Sequence, residues 1–257
     1  MTGGGNGIGR EVVLELLRRG ARVAAVDIRH ESLDETARLA AASDRLATFV
    51  VDITDREATN ALPAQVAQRL GLPDAVINVA GIIQPFVRLD DLDYPAIERV
   101  IDVNLYGTIN VDKAFLPTLL NRPEAHLANV SSMGGFLPVP GQTIYGATKA
   151  AVKLMTEGLY AELLDTNVGV SVILPGAIET EITQNSGVDM PGVDPEKTKR
   201  FPTTSAADAA KIILDGIAEK KLHIYVGRDS RMMGIFNRLA PKRSTHLIQR
   251  QMKSLLS

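Results

Sequence analysis

The sequence predicts an α/β chain with a doubly wound parallel sheet, built as one domain. Three observations carry this reading: short β-branched apolar runs alternate with longer amphipathic stretches, the runs are nearly continuous in hydrophobicity, and the first amphipathic stretch leaves directly from a glycine-dense turn. Continuous apolar runs mark strands covered on both faces, and the alternation supplies the covering helices. A length of 257 residues suits one large domain.

In chain order, the turn within Met1–Gly9 feeds a helix over Arg10–Gly20, where Val12, Val13, Leu14, Leu16 and Leu17 form a broad apolar face and Gly20 is the stop. Strands are read at Ala21–Asp27, Ala47–Ile53, Asp74–Ala80, His126–Ser132, Gly169–Pro175 and Leu222–Gly227. Between the last two, Glu179–Pro202 is rich in Gly, Pro, Asp and Thr and reads as a mobile flap. From Arg228 onward seven Lys/Arg stand against one Asp, a charge of +6 that leaves −8 for the rest. The expected organisation is therefore a nucleotide-binding domain over 1–227 with a basic amphipathic extension over 228–257, without repeats or a second core.

Composition excludes more than it selects. Apolar residues make up 45% and charged residues 23%, and the net charge of −2 gives no global field towards nucleic acid. With no cysteine there is no disulfide framework and no thiolate metal site. No apolar run approaches the roughly 20 residues that span a bilayer, and the start has no basic-then-apolar signal pattern. The expectation is a soluble cytoplasmic protein. His30, His126, His223 and His246 have no metal-ligand spacing, so no metal is invoked.

The opening MTGGGNGIG does not fit G-x-G-x-x-G; it fits Thr2-Gly3-x-x-x-Gly7-x-Gly9. Gly3 would turn the chain out of a strand, Gly7 would let the backbone approach a pyrophosphate, and Gly9 would allow close helix–sheet packing. The amides of the new helix, including those around Asn6 and Ile8, would face the phosphate at the positive end of the helix dipole. A glycine-rich start is weak evidence by itself, since a flexible terminus looks similar. Asp27 sharpens it by ending the next strand 18 residues beyond Gly9, near the usual offset of a ribose-binding acid. A carboxylate there accepts from both adenosine ribose hydroxyls and repels a 2′-phosphate, which favours NAD. Arg29, two residues on, keeps NADP as the alternative. Asp52, followed by Ile53, ends another strand where it could meet the adenine amino group, although strand-end Asp residues are common turn formers.

The stretch SSMGGFLPVPGQTIYGATK, Ser131–Lys149, carries the chemistry. Tyr145 and Lys149 are four apart on an expected helix and share a face. An ammonium beside a phenol favours the phenolate and should bring its pKa down from about 10, making Tyr145 a general acid/base for an alcohol or ketone. Ser132, thirteen residues earlier at a strand end, can hydrogen-bond the same oxygen; Ser131 is its confusable neighbour. Tyr-x-x-x-Lys alone would be an ordinary surface pair. Together with the serine and the nucleotide turn it is not.

With these motifs on the page, the chain resembles the short-chain dehydrogenase/reductase family in its compact branch. TGGGNGIG, Asp27, VDI, NVAG (Asn78–Gly81), VNLYG (Val103–Gly107), VSS, YGATK and PGAIET (Pro175–Thr180) occur in family order from Thr2 to about Gly227. The resemblance implies a Rossmann fold and four catalytic positions. Ser132 would orient the substrate oxygen and Tyr145 would move its proton. Lys149 would bind the nicotinamide ribose and lower the tyrosine pKa, and Asn104 would hold a water that relays protons from Lys149. It also implies cofactor contacts at Asn78, Ala80 and Gly81, and at Pro175, Gly176, Ile178 and Thr180 along the nicotinamide carboxamide. From the residues alone, Asn104 between Val103 and Leu105 reads equally as a satisfied buried amide.

The sequence departs from the family in two places. Val79 replaces the more usual second asparagine of the NVAG motif, while Asn78 remains to tie the sheet together. The strand that normally precedes the TG turn, between those ending at Asp27 and Asn78, is missing. Each buried unsatisfied backbone group costs about 1–3 kcal/mol against a net stability of about 5–15 kcal/mol. The expectation is that the natural protein starts upstream of Met1, for example where a GTG valine codon is misread as initiation. A stop codon directly before Met1 in frame would sink it.

The substrate wall implied by the family falls on Ile82–Phe86, Met133–Gln142 and the flap, including Val188 and Met190. It is mostly apolar, with Gln84, Gln142 and Asn185 as candidate polar contacts and Arg88 at the margin, so a medium or bulky apolar secondary alcohol or ketone is expected. The competing reading is that these residues pack the core. The tail's Met232, Met233, Ile235, Phe236, Leu239, Leu247, Ile248, Met252, Leu255 and Leu256 with their basic neighbours are expected to pack on a subunit or on the body itself. A membrane surface is the less favoured reading. A homodimer or homotetramer is implied by the resemblance. The leading function is an NAD-dependent oxidoreductase. The alternatives are an NADP-dependent carbonyl or ketoacyl reductase and a non-catalytic dinucleotide sensor or scaffold, for which an eroded catalytic set would be expected.

Overall fold

The computed structural model describes residues 1–41, 44–180, 182–188 and 203–252. Its elements alternate as expected: α1 (Gly7–Arg18), β1 (Val23–Asp27), α2 (His30–Ala40), β2 (Leu46–Val50), α3 (Arg56–Leu70) and β3 (Ala75–Asn78). Next come α4 (Tyr94–Ile101), a π-helical turn (Asp102–Gly107), α5 (Thr108–Leu120), β4 (Ala125–Val130), α6 (Thr143–Glu162) and β5 (Val168–Pro175). The chain continues through β6 (Ile178–Glu179), α7 (Ile182–Ser186), β7 (Thr204–Ser205), α8 (Ala206–Ala218), β8 (His223–Val226), α9 (Arg228–Leu239) and α10 (Pro241–Met252).

The main strands are all parallel, in the order β2-β1 on one side and β3-β4-β5-β8 on the other. Consecutive residues on a strand feed opposite cores, which is why the runs show no polar alternation. Val76 and Leu127 face a core with Leu62 and Val66 of α3 and Val111, Phe115 and Leu119 of α5. Ile77 and Ala128 face another with Val12 of α1 and Ala209, Ala210, Ile213 and Leu214 of α8. The doubly wound α/β fold read from the sequence is the fold observed.

The place of the expected missing strand is held by two residues. Thr2 bridges Val26 of β1 and Asn78 of β3, joining the two halves of the sheet at one residue. The Met1 amine donates to Ala24 O (3.1 Å), Val26 N donates to Met1 O (2.9 Å), and Thr2 N donates to Ile77 O (3.1 Å). Burial draws the Met1 amine down to about 5. These bonds lie towards the carboxyl ends of β1 and β3, so they fix the glycine turn at the edge of the sheet where the cleft opens.

A buried polar network braces this junction. Asn78 Nδ2 donates to Asp112 Oδ1 (2.7 Å) and Asn129 Oδ1 (2.9 Å). Asn129 Nδ2 donates to Asp112 Oδ2 (2.8 Å) and Thr156 Oγ1 (3.1 Å). Thr2 Oγ1 donates to Asn78 Oδ1 (3.2 Å). Turn, β3, β4, α5 and α6 therefore meet at one set of amides.

The described part of the tail packs on its own body: Ser230 Oγ donates to Leu174 O (2.7 Å), and Asn237 Nδ2 donates to Phe136 O (2.8 Å). Met232, Ile235 and Leu239 remain on the outer side of α9 as exposed residues. Leu255 and Leu256 lie outside the described residues, as does Met190 of the flap. Among the described residues no helix is long and apolar enough to cross a membrane, and no cluster of three or more potential ligands could hold a metal ion.

Candidate active site

At the carboxyl ends of β1, β3, β4 and β5 lies a cleft of about 800 Å³, which falls within the range of small-molecule and cofactor sites. The glycine turn forms one wall, contributing Gly3, Asn6, Gly7, Ile8 and Gly9. Gly3 has φ +67°, and a Cβ there would sit 2.7 Å from Ala80 N, so only glycine permits this exit from the sheet. A Cβ on Gly9 would overlap the carbonyl oxygen of Gly3, which is the close packing its spacing implied. Asn6 caps α1, its side chain accepting from Gly7 N (2.6 Å).

Asp27 and Asp52 line the same end. Asp27 is held by Gly5 N on Oδ2 (3.0 Å) and Arg29 N on Oδ1 (3.1 Å). Asp52 Oδ1 accepts from Thr54 N and Thr54 Oγ1, both at 2.8 Å. Ile53 lines the cleft beside it, and Ala80, Gly81, Pro175, Gly176, Ile178 and Thr180 carry the wall towards the other end. The segment after β5 is steadied from the tail, because Ala177 N donates to Asp229 Oδ2 (2.7 Å).

Ser132, Tyr145 and Lys149 line the far end together. Ser132 Oγ accepts from Gly134 N (3.0 Å) and hydrogen-bonds the Tyr145 phenol. Lys149 is buried and donates to Val130 O (3.0 Å). Ser131 also lines the cleft, but its hydroxyl donates to the Lys149 carbonyl (2.6 Å).

The expected electrostatic direction at the tyrosine is corrected. Burial raises the Tyr145 phenol above its ordinary value, and only the bond to Ser132 opposes this. Burial also lowers Lys149 to about 8. Low dielectric disfavours both charges, and the lysine's resolved bond goes to a backbone carbonyl instead of the phenol.

Two expected site residues stand behind the cleft wall. Asn78 belongs to the polar network and does not line the cleft. Asn104, fully buried in the π-helical turn, accepts from Ile82 N (2.8 Å) and donates to Ile82 O (2.9 Å) and Thr148 Oγ1 (3.1 Å). Both amide protons are taken, so a water held by this side chain would donate to the second lone pair of Oδ1.

Of the three polar candidates for substrate contact, two lie off the cleft lining. Gln84 and Gln142 are buried and bonded to backbone, away from the cleft lining. Asn185 lines the cleft, but its Oδ1 accepts from Arg29 Nη2 (2.6 Å) and Asn6 Nδ2 (3.2 Å), near the turn. Ile82, Ile83 and Ile182 supply apolar lining, whereas Arg88 is exposed and pairs with Asp90 (3.1 Å). Sequence reading missed Glu98, Arg99 and Asp102, which line the cleft from α4 and the following turn. The spacing of Glu98 and Asp102 puts them on one helix face, which was the available signal.

Residues 1–190 match the family described as short chain dehydrogenase. SadH of Mycobacterium tuberculosis, whose name gives it as an oxidoreductase, is 35% identical over 252 residues, covering 93% of this chain and 89% of its own. Among solved structures, a short chain dehydrogenase from Burkholderia cenocepacia in complex with NADP is 28% identical with a TM-score of 0.79, covering 96% of this chain and 94% of that one. One from Burkholderia phymatum in complex with NAD has a TM-score of 0.82 at 24% identity, covering 93% of each, a likeness of fold. The glycine turn, the strand-end serine and the tyrosine–lysine pair thus sit on a chain that belongs to the short-chain dehydrogenase family of oxidoreductases.

Proposed function

We propose that this oxidoreductase uses NAD to interconvert a secondary alcohol and a ketone on an apolar substrate of medium or bulky size. The observation that carries the proposal is the convergence of Ser132, Tyr145 and Lys149 on the cleft whose other end is the glycine turn and Asp27. A dinucleotide fits the residues present. The turn brings backbone without side chains to the cleft, α1 directs its amino-terminal end there, and Asp27 offers a carboxylate to ribose hydroxyls. The nicotinamide, when bound, supplies the hydride acceptor or donor.

The chain's own residues would then handle orientation and the proton. Ser132 holds the substrate oxygen beside the phenol. In ketone reduction Tyr145 gives its proton to that oxygen; in alcohol oxidation the phenolate takes the hydroxyl proton. The raised phenol favours the first direction near neutrality and calls for higher pH in the second. Lys149, with its amine near 8, would hold the nicotinamide ribose hydroxyls. The apolar side chains of Ile82, Ile83 and Ile182 favour an uncharged substrate.

NAD is preferred on Asp27, while Arg29 beside it gives the NADP reading a specific residue. Titrating both dinucleotides against intrinsic tyrosine fluorescence tests this: NAD should bind more tightly, and Asp27→Ala should weaken NAD and narrow the difference. Equal affinities in the unaltered chain would overturn the preference. Tyr145→Phe should abolish turnover of secondary alcohols and keep dinucleotide binding, and wild-type turnover would remove the acid/base assignment.

A further inference from the structure

We propose that Gln84 is a positioning residue for the Tyr145 phenol, capping the first turn of α6 from the segment that follows β3. The inference rests on the reading of Tyr145 as the acid/base. Tyr145 is the third residue of α6, within the turn whose backbone amides have no intrahelical acceptor. The local cap residue, Gln142, makes no side-chain cap bond. Gln84 makes it instead, across 60 and 61 residues: its Oε1 accepts from Ile144 N (2.8 Å) and from Tyr145 N (3.0 Å).

The rest of the arrangement locks that carboxamide in place. Gln84 Nε2 donates to Gly141 O (3.0 Å), and Gln142 Nε2 donates back to Gln84 O (2.8 Å). Gln84 is fully buried, so an amide here would be costly without these partners. The two residues before it are anchored as well. Ile82 is held at both backbone groups by Asn104, and Ile83 N donates to Ser186 Oγ (3.0 Å) in α7. Three consecutive residues thus tie the π-helical turn, the flap helix and the tyrosine's own backbone to one short segment.

A helix start is the part that frays most readily, and the Tyr145 ring leaves little tolerance. A Cβ at Gly134 would lie 3.3 Å from its Cε1, and the phenol must meet Ser132. An acceptor fixed from outside the helix holds the tyrosine backbone, and therefore the phenol, without touching the cleft. This explains why a glutamine stands in an otherwise apolar stretch and does not line the site.

Tyr145 can be followed without knowing the substrate, by ultraviolet difference titration of tyrosinate against a Tyr145→Phe background that subtracts the other four tyrosines. In the unaltered chain its midpoint should lie above the ordinary phenol value. Gln84→Met keeps the size but removes the cap, so the turn should open to water and the midpoint should fall towards about 10. Gln84→Glu restores acceptor oxygens and should keep the midpoint at or above the unaltered value. A folded Gln84→Met chain with an unchanged midpoint, or a fall shared equally by Gln84→Glu, would overturn the proposal.

Should Gln84→Met not fold, amide exchange of the unaltered protein decides. Ile144 and Tyr145 amides should be protected at least about tenfold over free peptide, and unprotected exchange would overturn the capping role. These readouts stand apart from the acid/base reading, whose failure would show as turnover in Tyr145→Phe with the effect of Gln84 on the phenol intact.

Discussion

Replacing Asp112 by asparagine should change how stability depends on pH, not merely its level. Asp112 is a carboxyl buried at the junction of β3, β4 and α5, partnered by the amides of Asn129 and Asn78. Burial raises it from 3.8 to about 7, outweighing those two hydrogen bonds. A folded-state pKa above the unfolded value means that the contribution is fully present below about pH 4 and is lost as pH rises towards about 7. The whole interval corresponds to about 4 kcal/mol, with a steepest slope of about 1.4 kcal/mol per pH unit. That is a large share of a typical net stability of about 5–15 kcal/mol. Urea unfolding of both proteins at about half-unit steps between about pH 4 and pH 8 isolates the effect, since other groups titrate in both and cancel. Any repacking cost of the asparagine shifts the difference curve vertically without tilting it. Asp112→Asn should gain on the parent by about 4 kcal/mol from the acid to the alkaline end, most of it before pH 7. Curves parallel to within about 0.5 kcal/mol would refute the assignment of a buried carboxyl titrating near neutrality.

Two further outcomes separate structural from chemical residues. Ser131→Ala removes a hydrogen bond to the Lys149 carbonyl and should lower unfolding stability by about 1 kcal/mol with dinucleotide affinity intact. Ser132→Ala gives up its bond from Gly134 N and should cost a similar amount of stability, but it alone should lower turnover; a comparable loss of turnover in Ser131→Ala would undo the division. His126, buried and bonded to Ser171 Oγ (2.8 Å), is lowered from 6.5 to about 4, chiefly by burial and then by the charge of Lys220. Its contribution is present above pH 6.5 and is lost as pH falls towards 4, so its ring resonances should stay neutral in an NMR titration to about pH 5. A midpoint near 6.5 would contradict the burial.

The sheet was legible because parallel strands covered on both faces leave a simple record. Val76 and Ile77 go to different cores, so both must be apolar, and the run is visible without any periodicity. Its ends were less visible. The expected strand Asp74–Ala80 pairs only over Ala75–Asn78, because Val79 onward leaves the ladder to line the cleft. That Ser132, Tyr145 and Lys149 line one cleft was legible because helix and strand geometry convert their spacings into shared direction. The seating of Met1 and Thr2 between β1 and β3 was not legible, because it depends on hydrogen bonds with Ala24, Val26 and Ile77 that no spacing encodes.

Polarity carried less information than spacing. Gln84, Gln142 and Asn185 were picked out as polar residues on an apolar wall, and for Gln84 and Gln142 the inference from polar to cleft-facing failed for a physical reason. A buried amide is tolerated wherever a backbone group needs a partner, and helix ends and strand exits provide such groups as readily as a ligand does. Gln84 satisfies the start of α6, Asn104 satisfies both backbone groups of Ile82, and Asn78 joins strands through Asp112 and Asn129. These residues surround Ser132, Tyr145 and Lys149 without lining the cleft. On the proposed mechanism the Tyr145 phenol must align with a reacting oxygen, and its backbone is held by Gln84, an amide that does not line the cleft. Specific placement of Tyr145 therefore depends on residues whose substitution would read as a stability change in one assay and as a displaced phenol in another, and only the second identifies their part in the chemistry.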